Sequence, residues 1–357
     1  MFQKIMITGG AGFVGSNLAI RLQRDFAPTG TQVFAFDNLK RRGSELNLNR
    51  LRDAGIEFIH GDVRCRDDLD AVPEFDLLIE CAAEPSVHSG TNGSPRYVLE
   101  TNLLGTINCL EAVHKNDAAM IFLSTSRVFP IEKLNSLPFE ETKDRFSWTE
   151  TSQIHGFSNR GISESFSLDG PRSFYGVSKL SSEHIIAEYA SNYGVKAIVN
   201  RCGIIAGPWQ MGKVDQGVVT LWVARHTFGR ALQYIGFGGV GKQVRDLLHI
   251  DDLYTLLCQQ IQQPETWDGR VYNVGGGTEI SVSLKELTEL VNNITKREIP
   301  IEPVQQTNPL DVRIYITDSQ SVQNDFSWKP EYQLHAIVED VYNWIQKNQS
   351  DLEPILR

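Results

Sequence analysis

The sequence of 357 residues contains five cysteines, and none of them lies in a CxxC pair. An odd number of scattered thiols argues against a disulfide framework and favours free cysteines in a reducing compartment. No apolar run approaches the roughly 18 to 20 uncharged residues that span a bilayer, and the N-terminus lacks the pattern of a secretion signal. We therefore expect a soluble, cytoplasmic protein.

Metal-ligand spacing is also missing, because the eight histidines form neither an HExxH nor an HxH motif. A structural metal is therefore not expected. The formal net charge of −10 disfavours a broad surface for nucleic acid or for anionic membranes. These absences leave a small molecule as the expected partner.

Short apolar runs rich in β-branched residues alternate with longer amphipathic stretches in the first half of the chain. The runs are KIMITG, TQVFAFD, IEFIHGD, FDLLIECAA, AMIFLST and VKAIVNRC. Strands separated by helices predict a parallel sheet made of βαβ units. We therefore predict an α/β fold, with a Rossmann-type, doubly wound parallel sheet and a smaller mixed α/β substrate domain.

The domain boundary is predicted near residue 200. Residues 1–200 would form the Rossmann domain, with an insertion at about 130–172 that is too long for a plain connection between a strand and a helix. Aromatic residues interrupt its polar composition, so we interpret it as a lid or as a wall of the substrate site. Residues 201–357 would mainly form the second domain, with some segments returning to the first.

The segment KIMITGGAGFVGSNLAIRL predicts a strand, a turn and a helix, with Gly9, Gly12 and Gly15 in a GxxGxxG arrangement. Glycines at this spacing let the backbone turn tightly and let a pyrophosphate approach the main chain at the helix N-terminus. Close packing of the helix on the strand explains the same pattern without a ligand. The glycines alone therefore leave both interpretations open.

An acidic residue strengthens the dinucleotide interpretation. Asp37 ends the second predicted strand, where a carboxylate accepts hydrogen bonds from the adenine-ribose hydroxyls of NAD and repels the 2′-phosphate of NADP. Arg41 and Arg42 follow closely and suit that phosphate instead, so NAD is the expected cofactor and NADP is the alternative. Asp62 and Val63 fall where such folds line the adenine pocket, although an acid after a strand is also a common turn residue.

Tyr175 and Lys179 lie four residues apart in SFYGVSKL, so a helix would bring the phenol and the ammonium side by side. A neighbouring cation favours the phenolate, which accepts a proton from an alcohol. Taken alone, this spacing more often belongs to a buried aromatic beside a surface charge. Thr125 ends the run AMIFLST at the edge where open α/β sheets bind ligands, so it would hydrogen-bond the reacting oxygen.

These motifs occur in a fixed order along the chain: the glycine loop, the acidic strand end, TNLLGT, STSRVF and YGVSK. Over nearly its whole length the sequence resembles the extended short-chain dehydrogenase/reductase family of nucleotide-sugar epimerases and dehydratases. The resemblance implies catalytic roles for Thr125, Tyr175 and Lys179. The residues expected to contact the cofactor, besides Lys179, are Gly9, Gly12, Phe13, Val14, Gly15, Asp37, Asn38, Asp62, Val63, Ala82, Ala83 and Asn102.

The same resemblance implies a nucleotide-sugar site. Arg245, in VRDLLHIDDL, would hold the substrate diphosphate through its guanidinium group. An ion pair of Arg245 with Asp246 or Asp251 between the domains is the alternative. The remaining substrate-binding candidates are Ser126, Gln210, Lys213 and Gln216. An ordinary polar loop would equally explain the last three.

Within this family, longer strings resemble the CDP-paratose 2-epimerases, above all NRCGIIAGPWQMGKVDQGV and YIGFGGVGKQVRDLLH. The resemblance implies a homo-oligomeric enzyme that uses bound NAD to invert C2 of a CDP-sugar. Dehydratases of the family follow the threonine with Asp-Glu, whereas Ser126 and Arg127 follow it here, which disfavours dehydration. Ile204 and Glu80 replace the Asn and His of many 4-epimerases, so the substrate is expected to sit differently.

Two alternatives remain at this point. A UDP- or GDP-hexose 4-epimerase uses the same oxidation machinery, so the sequence does not separate it from a 2-epimerase. A non-catalytic dinucleotide sensor can use the same fold. Such a sensor does not need an intact Thr–Tyr–Lys set, so the presence of this set favours an enzyme.

Overall fold

A computed structural model of the chain describes residues 2–91, 93–149, 154–213 and 216–356. The strands are Lys4–Thr8 (β1), Gln32–Asp37 (β2), Glu57–His60 (β3), Leu77–Glu80 (β4), Ala119–Thr125 (β5), Phe139–Glu141 (β6), Phe146–Trp148 (β7), Phe157–Ser158 (β8), Gly161–Ile162 (β9), Ala197–Cys202 (β10), Ile204–Ala206 (β11), Leu232–Ile235 (β12), Val244–His249 (β13), Arg270–Val274 (β14), Ser281–Ser283 (β15), Ile301–Val304 (β16) and Ile314–Tyr315 (β17).

The α-helices connect and flank these strands. They are Phe13–Phe26 (α1), Asn47–Asp53 (α2), Arg66–Asp70 (α3), Arg96–Leu99 (α4), Gly105–Lys115 (α5), Ile131–Asn135 (α6), Phe174–Tyr193 (α7), Val218–Phe228 (α8), Ile250–Ile261 (α9), Leu284–Thr295 (α10), Gln320–Phe326 (α11), Leu334–Lys347 (α12) and Gln349–Leu356 (α13). In the part of the chain that the structure describes, none of the helices has the length and apolar character to span a membrane.

Among the described residues, seven strands form one sheet in the order β14-β10-β5-β4-β1-β2-β3. β1 pairs in parallel with both β2 and β4, and the pairs β2–β3 and β4–β5 are parallel as well. The chain winds outward through β3 and then returns through β4 on the other side of β1. The predicted doubly wound, Rossmann-type sheet is therefore confirmed, and its topological switch point lies between β1 and β4.

One core layer packs on this sheet under helices α5 and α7. Met6, Phe34, Leu78 and Met120 are register partners on adjacent strands, and they point into this layer together. Each is at most 2% exposed, and burying such a side chain contributes about 2 kcal/mol. This layer holds the carboxyl ends of the strands, where the candidate residues lie, in a fixed arrangement.

The chain divides into two compact units, and neither is one continuous segment. The first comprises Met1–Thr125, Ser173–Arg201 and Tyr254–Tyr272, and the second comprises Ser126–Arg172, Cys202–Leu253 and Asn273–Arg357. The predicted insertion at about 130–172, of which residues 150–153 lie outside the described part, falls in the second unit. The nucleotide-sugar role of this unit stays a prediction.

The helix predicted over PRYVLETNLLGTINCLEAVHKN is present but is not uniform. α4 continues directly into a π-helical turn, Glu100–Leu104, which continues into α5. A π-helical turn contains one residue more than an α-helical turn, and such turns are frequent at functional sites. Asn102 lies at its centre and is completely buried.

The second unit contains a smaller sheet around β13. This strand pairs in parallel with β11 and β17 and antiparallel with β15. The segment that was predicted as an insertion adds two antiparallel pairs, β6–β7 and β8–β9. Mixed strand directions agree with the predicted mixed α/β character of this part of the chain.

Candidate active site

Gly9, in the loop between β1 and α1, and Gly15, in the first turn of α1, cannot be replaced by a larger residue without displacing the backbone. Gly9 has a positive φ of 65°, and a Cβ atom there would lie 2.8 Å from the backbone nitrogen of Ala82. A Cβ atom at Gly15 would lie 2.2 Å from the carbonyl oxygen of Gly9. The loop and the helix therefore approach each other as closely as a dinucleotide-binding fold requires.

The N-terminus of α1 faces this loop without a capping side chain. Its N-cap residue is Gly12, which has an extended backbone conformation. The first N–H groups of a helix have no acceptor within the helix, and the helix dipole makes this end positive. Phe13, Val14 and Gly15 supply these groups, so the loop fits a pyrophosphate such as that of NAD.

Asp37 ends β2 beside the same loop. Its Oδ2 atom accepts a hydrogen bond from the Ala11 N–H at 3.1 Å, and its Oδ1 atom accepts one from the Leu39 N–H at 2.7 Å. Burial raises the pKa of Asp37, whereas the backbone donors lower it. A carboxylate offers about four acceptor positions, which is more than these donors use. The geometry fits a ribose hydroxyl, and the role of Asp37 stays a prediction.

Replacing Asp37 with asparagine is expected to lower the affinity for NAD about tenfold and to reduce the preference for NAD over NADP. The amide keeps an acceptor for the loop, but it loses the charge that binds ribose hydroxyls strongly and repels a 2′-phosphate. Calorimetric titration with NAD and with NADP measures both affinities. Arg42→Ala is the control. If Arg42→Ala changes the ratio of the NAD and NADP affinities and Asp37→Asn does not, the assignment of Asp37 to the ribose hydroxyls is wrong.

Asn38 and Asp62, which follow β2 and β3, are brought together by a hydrogen bond of 2.9 Å from Asn38 Nδ2 to Asp62 Oδ2. Arg64 donates to both oxygens of Asp62 and thereby lowers its pKa to about 2. The Arg64 N–H also donates to Asp62 Oδ1 at 3.0 Å, so Asp62 forms the turn that its alternative interpretation predicts. Val63 is 6% exposed and belongs to the core. A role of either residue toward adenine stays a prediction.

Asn102 connects the segment after β4 to α7. Its Oδ1 atom accepts from the Glu84 N–H at 2.7 Å, and its Nδ2 atom donates to the Glu84 carbonyl at 3.1 Å and to Ser178 Oγ at 3.2 Å. Protein atoms therefore use three of the four hydrogen-bonding positions of this amide, and the contact of Asn102 with the cofactor stays a prediction. Asn102 holds the segment that contains Ala82 and Ala83 in place beside the glycine loop.

The three predicted catalytic residues all lie in the first unit. Thr125 is the last residue of β5, and Tyr175 and Lys179 lie one turn apart on α7, which packs against β5. Ser173 begins this helix, because its side chain accepts the Gly176 N–H at 3.1 Å. Tyr175 is half-buried and Lys179 is 2% exposed. The alternative interpretation predicts a buried aromatic residue beside an exposed charge. In the structure the charged residue is the more deeply buried of the two.

A buried ion pair that the sequence interpretation missed supports the same elements. Arg201 of β10 and Glu183 of α7 are 2.6 Å apart, and their side chains are 5% and 3% exposed. Ser124 Oγ donates to Glu183 Oε1 at 2.5 Å. Ser124 directly precedes Thr125, and Glu183 lies one helical turn after Lys179. The sequence signal is Arg201 near the end of the apolar run VKAIVNRC, because a buried charge requires a partner, although the run does not identify that partner.

Glu80 is also part of the core, so it does not form the wall of a substrate site. It ends β4, is 1% exposed, and accepts a hydrogen bond of 2.6 Å from Thr106 Oγ1. From the identity of this residue, the sequence analysis predicted that the substrate binds in a different position from that in many 4-epimerases. Its burial excludes such a contact in the arrangement that the structure describes.

In the second unit, Arg245 of β13 lies near a second arginine. Its Nη1 and Nη2 atoms donate to the carbonyl oxygens of Val244 at 2.7 Å and Val312 at 2.5 Å. Arg127 Nη1 donates to the Leu310 carbonyl at 3.2 Å, so both guanidinium groups bind one short loop. Burial, and then the charge of Arg127, lower the pKa of Arg245 to about 9, whereas the charges of Asp311 and Asp246 raise it. Two neighbouring guanidinium groups favour a bound anion of the diphosphate type, and these two carboxylates oppose it.

Among the described residues, Arg245 forms no ion pair with Asp246 or Asp251. Successive residues of a strand point to opposite faces, and Asp246 Oδ2 instead accepts the Gly277 N–H at 3.1 Å. The ion-pair interpretation of Arg245 is therefore wrong, whereas diphosphate binding stays a prediction.

Two further substrate-binding candidates differ in how strongly protein atoms hold them. Gln210 Nε2 donates to the Ile205 carbonyl at 3.0 Å, and its Oε1 atom accepts from Thr220 Oγ1 at 3.2 Å. Both ends of this amide are used within the protein, which favours the polar-loop interpretation. Ser126 is half-buried at the first position of the second unit, and its substrate contact stays a prediction.

Lys213 and Gln216 bind each other through backbone hydrogen bonds of 2.6 and 3.1 Å. Residues 214 and 215 between them lie outside the described part. Lys213 is exposed, whereas Gln216 Oε1 is buried and has no hydrogen-bond partner within the described ranges. Gln216 thus retains an acceptor for a ligand, which favours the binding interpretation for this residue over the polar-loop one.

A family model described as the NAD dependent epimerase/dehydratase family matches residues 5–275. The chain belongs to this family. CDP-paratose 2-epimerase of Salmonella typhi is 31% identical over 96% of this chain and 98% of its own length. A putative UDP-glucose 4-epimerase of Methanocaldococcus jannaschii is 28% identical over 96% of this chain and 99% of its own length.

Solved structures of this family share the fold. The crystal structure of dTDP-glucose 4,6-dehydratase from Bacillus anthracis in complex with NAD covers 99% of this chain and 100% of its own, with a TM-score of 0.74 at 24% identity. Membership in the NAD-dependent epimerase/dehydratase family confirms the expected cofactor, NAD. The glycine loop and the free end of α1 fit that cofactor.

Proposed function

We propose that the protein is an NAD-dependent nucleotide-sugar epimerase that inverts C2 of a CDP-sugar, converting CDP-paratose to CDP-tyvelose. The observation that carries this proposal is the similarity to the Salmonella typhi CDP-paratose 2-epimerase, at 31% identity over nearly the full length of both chains. The strings around Gln210 and Arg245 resemble the same group of enzymes.

The residues after Thr125 support epimerisation over dehydration. Dehydratases of the resembled family carry Asp-Glu there, and this chain carries Ser126 and Arg127. Elimination of water requires a group that donates and accepts protons, whereas a guanidinium stays protonated in proteins. The Arg127 side chain also donates to the Leu310 carbonyl, so it is not available as a base.

The proposed chemistry is a reversible oxidation of the sugar. NAD, held by the glycine loop and Asp37, would supply the hydride acceptor for the sugar carbon and then the hydride donor. Tyr175, as phenolate, takes the proton of the C2 hydroxyl while the C2–H bond breaks, so the alcohol becomes a ketone. Thr125 donates a hydrogen bond to the reacting oxygen, and the Lys179 ammonium stabilises the phenolate. The 2-keto sugar then rotates, and Tyr175 returns the proton after the hydride reaches the opposite face.

Recognition of the substrate is assigned to residues of the second unit. Arg245 would bind the diphosphate through its guanidinium group, with the charge of Arg127 nearby. Gln216 offers a buried acceptor without a partner among the described residues, which suits a hydroxyl or amino group of the ligand. Ser126 and Lys213 remain candidates for contacts with the sugar and the diphosphate.

Incubation of the enzyme with CDP-paratose in deuterium oxide tests this proposal. Proton NMR is expected to show CDP-tyvelose that retains protium at C2, because the hydride returns directly to the same carbon. UDP-glucose and GDP-mannose serve as matched substrates with other bases. Deuterium at C2 would exclude the hydride mechanism, and the absence of any turnover of CDP-paratose would exclude the substrate.

A UDP-hexose 4-epimerase is the second candidate. The full-length similarity to the putative UDP-glucose 4-epimerase of Methanocaldococcus jannaschii, at 28% identity, favours it. The same experiment separates the two, since this enzyme would convert UDP-glucose to UDP-galactose and leave CDP-paratose unchanged.

A further inference from the structure

Glu80 is a buried acid for which the proposed chemistry has no use. It ends β4 and is 1% exposed, with Thr106 Oγ1 donating to its Oε1 atom at 2.6 Å. Its Oε2 atom is buried, and the Cys109 thiol is the one further side chain of the described residues that hydrogen-bonds the carboxyl group. A thiol is only a weak donor. The burial of this carboxyl group is therefore only partly compensated by its hydrogen bonds.

The carboxyl group of Glu80 and the ammonium of Lys179 share one layer of the first unit. Glu80 and Phe122 are register partners on the parallel strands β4 and β5, so their side chains project from the same face of the sheet. Lys179 Nζ lies 4.0 Å from the centroid of the Phe122 ring. Lys179 is 2% exposed, so water does not solvate its charge.

The charged or titratable groups that face the Glu80 carboxyl come from two helices. Within the described ranges, they are Lys179 of α7 and Cys109 of α5. Burial raises the pKa of the Cys109 thiol well above its usual range, so the thiol is uncharged at neutral pH. Of Lys179 and Cys109, only Lys179 therefore carries a charge that attracts the Glu80 carboxylate.

A buried ammonium tends to lose its proton unless an opposite charge lies near it. The face of a phenyl ring attracts a cation only weakly. We propose that Glu80 is a positioning residue that acts through Lys179, because its carboxylate supplies the negative charge that keeps this buried ammonium protonated beside Tyr175. The proposal rests on the proposed function, in which the ammonium stabilises the Tyr175 phenolate.

The direction of the pH dependence follows from the position of the carboxyl. Burial raises the pKa of Glu80 from 4.5 to about 7, and Lys179 counteracts this rise. A raised pKa means that protonation of Glu80 increases the free energy of unfolding. This contribution is complete below about pH 4.5 and is lost as the pH rises to about 7. Above this pH the folded chain holds a carboxylate, and only then does it attract the ammonium.

The variant Glu80→Gln keeps the shape of the side chain and removes its charge. Its rate of NAD reduction by the nucleotide sugar is expected to equal that of wild type near pH 6, where Glu80 is itself neutral. Near pH 8.5 the variant is expected to be about tenfold slower, because Lys179 loses its proton and no longer stabilises the phenolate. The control Thr106→Val removes the hydrogen bond to Glu80 and keeps the carboxylate, so its rate is expected to follow that of wild type at both pH values.

A second measurement does not depend on activity. Denaturant unfolding of wild type, Glu80→Gln, Lys179→Met and the double variant forms a double-mutant cycle. The coupling between the two residues is expected to reach about tenfold in the unfolding equilibrium constant near pH 8.5 and to vanish near pH 6. If wild type turns over no nucleotide sugar, the proposed function fails, and this cycle still tests the role of Glu80.

Three outcomes would overturn the proposal. A coupling that is absent, or equal at both pH values, would make Glu80 a packing residue. An equal loss of rate at both pH values would do the same. A Glu80→Gln variant that is faster than wild type near pH 8.5 would mean that the carboxylate acts on Tyr175 by repulsion and not through Lys179.

Discussion

Replacing Tyr175 with phenylalanine is expected to lower the rate of sugar oxidation about 10²- to 10⁴-fold, the usual contribution of a general acid or base. The phenyl ring keeps the packing at the start of α7 but cannot take the proton of the alcohol. Single-turnover reduction of bound NAD, followed by absorbance after mixing with the nucleotide sugar, measures this step directly.

A matched control lies on the same helix. Tyr193, the last residue of α7, is 60% exposed, and Tyr193→Phe is expected to keep the wild-type rate. The affinity for NAD should change little in Tyr175→Phe, which separates a chemical defect from loss of the cofactor. Full turnover by Tyr175→Phe would remove this residue as the base and leave the proton acceptor unassigned.

Replacing Arg201 with methionine is expected to lower the free energy of unfolding by about 3 to 5 kcal/mol. The substitution leaves Glu183 buried without its cation, while Ser124 supplies only one hydrogen bond to that carboxylate. Denaturant unfolding followed by circular dichroism measures the loss. It should be among the largest single-site effects in the first unit, because both charges are almost fully buried.

Two further variants test whether the uncompensated charge is the cause. The double variant Glu183→Gln, Arg201→Met removes both charges and should recover most of the lost stability. Arg96→Ala breaks an exposed pair with Glu100, in which the arginine side chain is 81% exposed, and should cost about 0.5 kcal/mol or less. A loss below about 1 kcal/mol in Arg201→Met would contradict the assignment.

Local patterns predicted the central sheet well. The six apolar runs correspond to β1 to β5 and β10, because a buried parallel strand needs a continuous apolar segment whatever its neighbours are. The glycine loop is equally local, since the close approach of Gly15 to Gly9 follows from their spacing. The sequence also predicted that Tyr175 and Lys179 share a helix face.

Contacts between distant segments were not predictable in this way. Neither the hydrogen bonds of Asn102 to Glu84 nor the pairing of Glu183 with Arg201 follows from a pattern along the chain. The same holds for the burial of Glu80, because a strand end becomes buried or exposed only when helices from elsewhere pack over it. These residues lie next to the candidate catalytic residues. The sequence therefore predicted the catalytic residues better than it predicted the buried polar and charged residues that support them.

The π-helical turn at Glu100–Leu104 constrains the length of its helix. One extra residue rotates everything beyond it by about 100° around the axis relative to an uninterrupted α-helix. Deleting a single residue there would restore the ordinary register and turn the Asn102 amide away from Glu84 and Ser178. Substitutions on the outer face leave that register unchanged. Insertions and deletions of one residue are thus the changes that this segment tolerates least.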